Sequence, residues 1–87
     1  MQIEYKPQAI KDLKAITPSL RSRITAKIVQ YATDPESLAN QVKHLSGSTF
    51  YRLRVGDYRV IFDLNEEGVT IMVVVRVRHR REAYDQH

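Results

Sequence analysis

The carboxyl-terminal part of the sequence holds a dense group of side chains that can bind phosphate. Four arginines and His79 occupy five of the six positions from Arg76 to Arg81, and Tyr84 follows four residues after Arg80. An arginine guanidinium is planar and always charged, and it donates paired hydrogen bonds to phosphate oxygens. A spacing of four residues places two side chains on one side of a helix, so Arg80 and Tyr84 can address one site. This group is suited to phosphodiester chemistry.

A second set of arginines lies in the alternating stretch "YRLRVGDYRVIF" at positions 51–62. Gly-Asp between two alternating runs predicts a β-hairpin with a two-residue turn at Gly56–Asp57. Because strand side chains alternate between faces, that register places Arg52, Arg54 and Arg59 on one face. The other face, expected to form the core, carries Tyr51, Leu53, Val55, Tyr58, Val60 and Phe62.

The next run, "VTIMVVVRV", is rich in β-branched residues and predicts a third strand of this meander. If "NEEG" is a four-residue loop, Leu64 faces Val69, and the odd positions from Val69 to Val77 point to the core. Arg76 and Arg78 then join the arginine side, giving one sheet face with five arginines. The same count puts three apolar residues on that face, for a partner or the carboxyl-terminal tail to cover: Ile61, Met72 and Val74.

The elements before the hairpin are predicted to be one short strand and two helices. "QIEY" alternates as a strand does, and Pro7 suits the first turn of a helix. Thr17 and Pro18 are typical of a helix start, and "TDPES" ends that helix. The fold class is therefore α+β: a strand, a helical hairpin and a three-stranded antiparallel meander, with both helices on one face of the sheet. The whole chain, residues 1–87, is expected to form a single domain.

Composition excludes several classes of function. The 87 residues contain no cysteine, which excludes disulfides and thiolate metal sites, and they carry a net charge of +4. No run of 18 apolar residues predicts a membrane span, and the first residues lack the pattern of a secretory signal. We therefore expect a cytoplasmic protein without metal or cofactor. The basic balance permits a nucleic-acid partner without requiring one.

The stretches "LSGSTFYRLRVGDYRVIF" and "RHRREAYD" are similar to those of the RelE/ParE toxin superfamily, and the second is similar to its RelE-like branch. The resemblance covers essentially the whole chain. It implies a RelE-like microbial RNase fold and a toxin of a type II toxin–antitoxin system. RelE-like toxins are ribosome-dependent endoribonucleases (mRNA interferases) that cut mRNA in the ribosomal A site, and a co-expressed antitoxin holds them inactive. The implied partners are thus the ribosome, mRNA and a cognate antitoxin.

Matching the motifs residue by residue implies a catalytic set of Arg52, Arg54, Arg59, Arg80 and Tyr84. Further phosphate contacts are expected from Arg76, Arg78, His79 and Arg81, and an antitoxin is expected to cover Ile61, Met72 and Val74. Some members of the family have lysine where this chain has Arg52 and Arg54. Lysine can accept a proton after losing one, whereas arginine stays protonated.

The implied reaction is metal-free attack of a ribose 2′-hydroxyl on its own neighbouring phosphate. Arginines stabilise the charge that develops on phosphorus, but they do not remove the 2′ proton. Tyr84 is the candidate base in the family pattern because surrounding cations favour a phenolate, or it stacks on a base and orients the nucleotide. His79 is a second candidate for proton transfer.

Two other functions share the same sequence features. A ParE-like toxin uses this scaffold to inhibit DNA gyrase without cutting nucleic acid, and such chains generally lack the terminal arginine–tyrosine set. A catalytically attenuated module would bind RNA through the arginine face alone, and both that module and a nuclease would lose affinity steeply with salt.

Overall fold

The computed structural model describes residues 1–81. The chain forms a five-stranded sheet, two α-helices and a 3₁₀ segment. In chain order these are β1 (Gln2–Tyr5), α1 (Pro7–Lys14), α2 (Pro18–Thr33), the 3₁₀ segment (Pro35–Gln41), β2 (Val42–His44), β3 (Tyr51–Val55), β4 (Tyr58–Asn65) and β5 (Ile71–His79).

Both helices begin at a proline, as the sequence predicts. Pro7 and Pro18 occupy first-turn positions, where the missing N–H has no helical partner to lose. The Arg21 guanidinium ties the two helices together, since it donates hydrogen bonds to the carbonyl oxygens of Leu13 at 2.8 Å and Ile16 at 2.9 Å. Leu13 lies in the last turn of α1 and Ile16 in the connection to α2, so the guanidinium satisfies carbonyls at the carboxyl-terminal end of the first helix. Neither helix is long and apolar enough to cross a membrane.

The sheet has the strand order β1-β5-β4-β3-β2, and its two outer strands differ from the prediction. β1 pairs parallel with β5, so the sheet is mixed rather than wholly antiparallel. β2, which lies in a stretch interpreted as a connection, adds a fourth antiparallel strand beside β3. With only three residues, β2 is too short for its alternation to stand out from a loop. The α+β class and the placement of the helices on one face are confirmed.

The core lies between the helices and one face of the sheet. Leu53, Val60 and Phe62 from the hairpin are completely buried against Ile24 and Ile28 of α2. Phe62 is at the centre, with ring centroids 5.1 Å from Tyr31 and 5.5 Å from Tyr51. The predicted hairpin register is confirmed, since Val55 pairs with Tyr58 and Arg54 with Arg59.

The register of β5 is where the sequence-based count is wrong. β4 continues to Asn65, which pairs with Ile71, so the loop is residues 66–70 and not "NEEG" alone. A β-bulge then interrupts the ladder: Phe62 pairs with Val74, and Ile61 pairs with Arg76. Val75 is the extra residue. Before the bulge the inward side chains are therefore Met72 and Val74, both completely buried, and after it the inward side chain is Val77.

This register predicts opposite effects for lysine at two adjacent positions. Met72→Lys places a charge in the core without a partner and should destabilise the fold by about 3 kcal/mol or more. Val73→Lys points outward beside Glu4 and Asp63 and should change stability by less than about 1 kcal/mol. Urea unfolding monitored by circular dichroism measures both. The reverse order would show that the outward side chains of β5 are those counted from the sequence, and equal destabilisation would contradict both registers.

Candidate active site on the outer sheet face

The outer face of the sheet, opposite the helices, carries its charges in rows set by the strand register. The first row consists of Arg54, Arg59 and Arg78, which are direct neighbours on β3, β4 and β5. The second row, one step along each strand, is Lys43, Arg52, Ile61 and Arg76. The prediction of five arginines on one face is thus confirmed, and Lys43 of β2 joins them. We call these two rows the arginine face.

Arg59 lies at the centre of the arginine face and is buried, with 8% of its surface exposed. Its Nη1 donates hydrogen bonds of 3.1 Å to the carbonyl oxygens of Gly56 and Tyr58. Gly56 has a positive φ of 57°, which a glycine adopts without steric cost, and it turns its carbonyl toward the guanidinium. The hairpin turn therefore fixes the orientation of the central cation.

Two donors on this face have no partner within residues 1–81. The Nε atoms of Arg52 and Arg59 are buried, and each lacks a hydrogen bond. A buried donor without an acceptor costs about 1–3 kcal/mol, and more when it is charged. Both are guanidinium N–H groups, which prefer carboxylate or phosphate oxygens as acceptors. The face is thus suited to an anion at its centre, between β3 and β4.

Arg76 belongs to the second row, but an ion pair occupies its guanidinium. Its Nε donates to Asp12 Oδ2 at 2.9 Å and its Nη2 to Asp12 Oδ1 at 3.3 Å, over the edge of β5. That Arg76 contacts phosphate stays a prediction, and a carboxylate already holds two of its donors. Arg78 is half-buried beside Arg59 and also has interactions of its own.

The end of β5 distributes its residues over both sides of the sheet. His79 pairs with Tyr58 and points to the helix side, where their rings meet edge to face at 5.3 Å. Its predicted place beside the arginine face is therefore wrong, because His79 follows the inward-facing Val77 by two residues and so lies on the same side of the strand. Arg80 remains next to the hairpin turn: its N–H donates to the Asp57 carbonyl at 2.7 Å, and its Nε lies 3.8 Å from Asp57 Oδ1.

Two further predicted residues are at the carboxyl terminus. Arg81 is exposed, and its N–H donates to Nδ1 of His79 at 3.3 Å. Tyr84, the predicted base or stacking group, lies outside the described residues.

Of the three residues assigned to an antitoxin, only Ile61 is on the outer face. It is half-buried between Arg52 and Arg76. Met72 and Val74 are completely buried in the core, so neither can contact a partner on that face. The apolar side chains of β5 on that face are instead Val73 and Val75, both half-buried, which the sequence count had assigned to the core.

The outer face changes sign one row beyond Arg52 and Ile61. The third row is Asp63, Val73 and Glu4, again direct neighbours across the sheet. With Phe50, Val75, Glu66 and Glu67, these residues line a cavity of about 590 Å³. Asp63 accepts hydrogen bonds from the Thr49 hydroxyl and the Leu64 N–H, and Glu4 lies 3.7 Å from Lys6 Nζ. We call this part of the surface the acidic end.

Sequence reasoning missed Lys43 and Asp12. Lys43 sits in a strand too short to recognise, and Asp12 is 64 residues from its partner Arg76. A single acidic residue among the basic ones of α1 is the one signal that Asp12 gives. Across residues 1–81, no group of three histidine, aspartate or glutamate side chains is placed to hold a metal ion.

Comparison with known proteins places this geometry in a family. The family model described as the ParE toxin of type II toxin–antitoxin system, parDE, matches residues 3–84. The chain belongs to this toxin family. The toxin RelE3 of Methanocaldococcus jannaschii is 34% identical over 98% of this chain and 97% of its own length. The mRNA interferase toxin RelE of Escherichia coli is 24% identical over 97% of this chain and 90% of its own length. The chain thus falls in the RelE-like branch of the RelE/ParE superfamily.

Solved structures agree with this assignment. The RelB–RelE antitoxin–toxin complex from Methanococcus jannaschii contains a chain 27% identical to this one, with a TM-score of 0.74 over 97% of this chain and 98% of that one. The intact E. coli RelBE complex contains a chain 21% identical to this one, with a TM-score of 0.72 over 90% of this chain and 94% of that one, and it supports the fold.

The first row of the arginine face predicts a stability cost. Arg54 and Arg59 are directly paired like charges, which destabilise a strand pair by about 0.2–1 kcal/mol. Arg54→Gln should therefore raise the free energy of unfolding by that amount at low salt, and the gain should shrink at 1 M salt because screening weakens the repulsion. Urea titrations at two ionic strengths measure this effect. Arg23→Gln, which removes an exposed cation on α2, is the control and should show no comparable gain.

Proposed function

We propose that this protein is the toxin of a type II toxin–antitoxin system and an endoribonuclease that cleaves mRNA. Its full-length relatives are named RelE toxins, and one is named an mRNA interferase. One observation on the molecule itself carries the proposal: two buried guanidinium N–H groups, of Arg52 and Arg59, have no acceptor within residues 1–81. A phosphodiester crossing the face between β3 and β4 would supply oxygens to both.

The proposed chemistry is attack of the ribose 2′-hydroxyl on the adjacent phosphate. Negative charge builds up on the phosphoryl oxygens in the transition state, and fixed donors aimed at that charge contribute most to such reactions. Arg59 is fixed because the turn carbonyls already hold its Nη1. Arg54 is exposed one position away on β3 and is free to follow the substrate backbone.

Proton transfer is the part that the arginines cannot perform, since guanidinium groups do not act as bases near neutral pH. We assign this step to Tyr84, as base or as the group that orients the nucleotide. A site with such limited acid–base equipment gains most from a substrate held in the reactive geometry. The ribosomal A site provides such positioning, which is why we propose ribosome-dependent cleavage. The place of action is accordingly the cytoplasm.

The family model itself favours one competing function. It is described as a ParE toxin, and ParE-like chains act on DNA gyrase rather than on RNA. The arginine face argues for RNA because buried, unpaired guanidinium donors suit a phosphodiester. A supercoiling assay with purified DNA gyrase distinguishes the two functions.

Cleavage in a purified translation system tests the proposal. Primer extension on a defined mRNA should show cuts within ribosome-occupied codons. Arg52→Ala and Arg59→Lys should each lower the single-turnover rate by about 100-fold, the typical cost of losing one donor to a developing oxyanion. Tyr84→Phe should lower it comparably if the hydroxyl transfers the proton, and less if the ring only stacks.

Arg23→Ala is the matched control because it removes an exposed arginine from the opposite side of the molecule. Intact mRNA with the wild-type protein, together with inhibited supercoiling, would assign the ParE-like function instead. Loss of rate in the Arg23 variant equal to that in Arg52→Ala would show that net charge, and not the arginine face, carries the activity.

We further propose that a cognate antitoxin covers the outer face. Several solved relatives are antitoxin–toxin complexes, and the charge pattern specifies what a partner needs. Over the arginine face it must present carboxylates. Over the acidic end it must present basic and apolar side chains, because Phe50 and Val73 lie among four carboxylates there. RNA phosphates would be repelled from the acidic end, so that end stays available to a protein even while RNA occupies the arginines.

Val73→Asp should therefore weaken binding of the antitoxin encoded with this toxin by about tenfold or more, as expected for a buried apolar contact. Isothermal titration calorimetry on the purified pair measures this affinity. Val69→Asp is the control, since Val69 is 62% exposed on the loop and does not line the cavity. Unchanged affinity of the Val73 variant would exclude the acidic end from the antitoxin interface.

A further inference from the structure

A single carboxylate on α1 holds the end of β5. Asp12 accepts four hydrogen bonds: from Arg76 Nε at 2.9 Å, Arg76 Nη2 at 3.3 Å, the Val77 N–H at 2.9 Å and Gln8 Nε2 at 3.2 Å. Its side chain is 11% exposed, whereas that of Arg76 is 37% exposed. A carboxylate that accepts a backbone N–H and a forked guanidinium together is fixed in both position and orientation.

The place of this contact in the sheet gives it a particular consequence. β1 pairs with β5 as far as Val74, and the Lys6 N–H donates to the Val74 carbonyl at 2.9 Å. Beyond that point β5 has lost its neighbour on this side. The Val77 N–H would otherwise be an open edge donor, and Asp12 supplies the acceptor that a strand would have provided.

The contact also lies immediately after the bulge. Val75 is the extra residue, and Arg76 and Val77 are the first residues of the resumed ladder. A ladder with a bulge can resume in more than one register, and a shift by one residue exchanges the two faces. Asp12 binds both the side chain of Arg76 and the backbone of Val77, so it selects the register in which Arg78 is opposite Arg59.

Repulsion makes such a restraint necessary. Arg78 and Arg59 are directly paired, and Arg54 stands on the far side of Arg59. Like charges in that arrangement push the last residues of β5 away from β4. Within residues 1–81, no strand pairs with this end of β5 on its other edge, because β1 pairs with β5 only as far as Val74. An edge segment with few partners is where a fold opens first.

We propose that Asp12 is a positioning residue for RNA cleavage, which sets the register of the last residues of β5 and thereby places Arg78 and Arg80 at the arginine face. This rests on the proposed function, since the arginines matter in this way only if they bind the scissile phosphate. Asp12 itself touches no substrate. It acts through the backbone of β5, on the opposite edge of that strand from β4.

The charge of Asp12 persists through the neutral range. Partial burial raises the pKa of its carboxyl. Hydrogen bonds from Arg76, Val77 and Gln8, together with the Arg76 charge, lower the pKa by more than burial raises it, so the pKa of Asp12 lies below its ordinary value. Its contribution to the free energy of unfolding is therefore complete above the unfolded-state pKa of about 4, and it is lost as the pH falls through the lower pKa of the folded state. The other titratable groups facing this site are Tyr58 and His79, which line a cavity with Asp12.

The test compares Asp12→Asn with Asp12→Glu and with the control Glu36→Gln, which removes an equal charge from the exposed 3₁₀ segment. In single-turnover cleavage on ribosomes, Asp12→Asn should be slower by about tenfold to a hundredfold, the range that a displacement of about 1 Å costs. Its affinity for the ribosome should stay within about threefold of wild type, since every arginine is still present. Asp12→Glu should restore part of the rate, and Glu36→Gln should match wild type.

Two readouts separate positioning from a loss of stability. In Asp12→Asn, amide hydrogen exchange at Val77, Arg78 and His79 should accelerate by about tenfold or more, while exchange at Val60 and Phe62 stays protected. The ratio of the variant's rate to the wild-type rate should also stay constant from pH 6 to pH 8, because Asp12 does not titrate there.

A wild-type cleavage rate in folded Asp12→Asn would overturn the proposal, and so would uniformly faster exchange over the whole sheet. If the wild-type protein itself cuts no mRNA, the proposed function fails. The exchange pattern then still shows whether Asp12 sets the end of β5, so the two failures are distinguishable.

Discussion

Charged side chains are costly to bury in a protein core, and in this 87-residue chain that cost constrains the direction of the side chains along β5. Met72 and Val74 point inward and are completely buried. A regular strand continued from them would send Arg76 and Arg78 inward as well. The extra residue Val75 prevents this, because after the bulge Val77 points to the core and both arginines point outward. Burial on one face and chemistry on the other thus depend on one irregularity in the ladder.

The arginine face is maintained against its own repulsion by contacts outside the face. The carbonyls of Gly56 and Tyr58 hold Arg59 from the hairpin turn, and Asp12 holds Arg76 from α1. None of these acceptors interrupts the rows, so the remaining donors stay directed at whatever crosses the face. Functional sites commonly store unfavourable interactions of this kind, which the rest of the fold offsets. The buried Nε atoms of Arg52 and Arg59, which have no hydrogen-bond partner within residues 1–81, are unfavourable interactions of this kind.

Local patterns predicted the parts of the structure that local rules control. The two helix starts, the Gly56–Asp57 turn and the pairing of Arg54 with Arg59 follow from proline, glycine and alternation within a few residues. The bulge could not be predicted in this way, because "MVVVRV" satisfies two registers equally well and tertiary packing chooses between them. For the same reason Met72 and Val74 were assigned to the wrong face. The Asp12–Arg76 pair spans 64 positions and depends on β1 lying parallel to β5, which no local signal announces.

The outward rows decide function on this scaffold more than the fold does. The inward core residues of the sheet are constrained by packing against the helices, and one fold can carry several functions. Outward residues have no such constraint, and here they divide sharply. Six of the seven residues in the two rows of the arginine face are basic and the seventh is Ile61, whereas the third row carries Asp63 and Glu4. That division separates a surface for a polyanion from a surface that a polyanion avoids. A partner that inhibits the protein by covering the arginine face can therefore also bind the acidic end, where RNA does not compete for the same side chains.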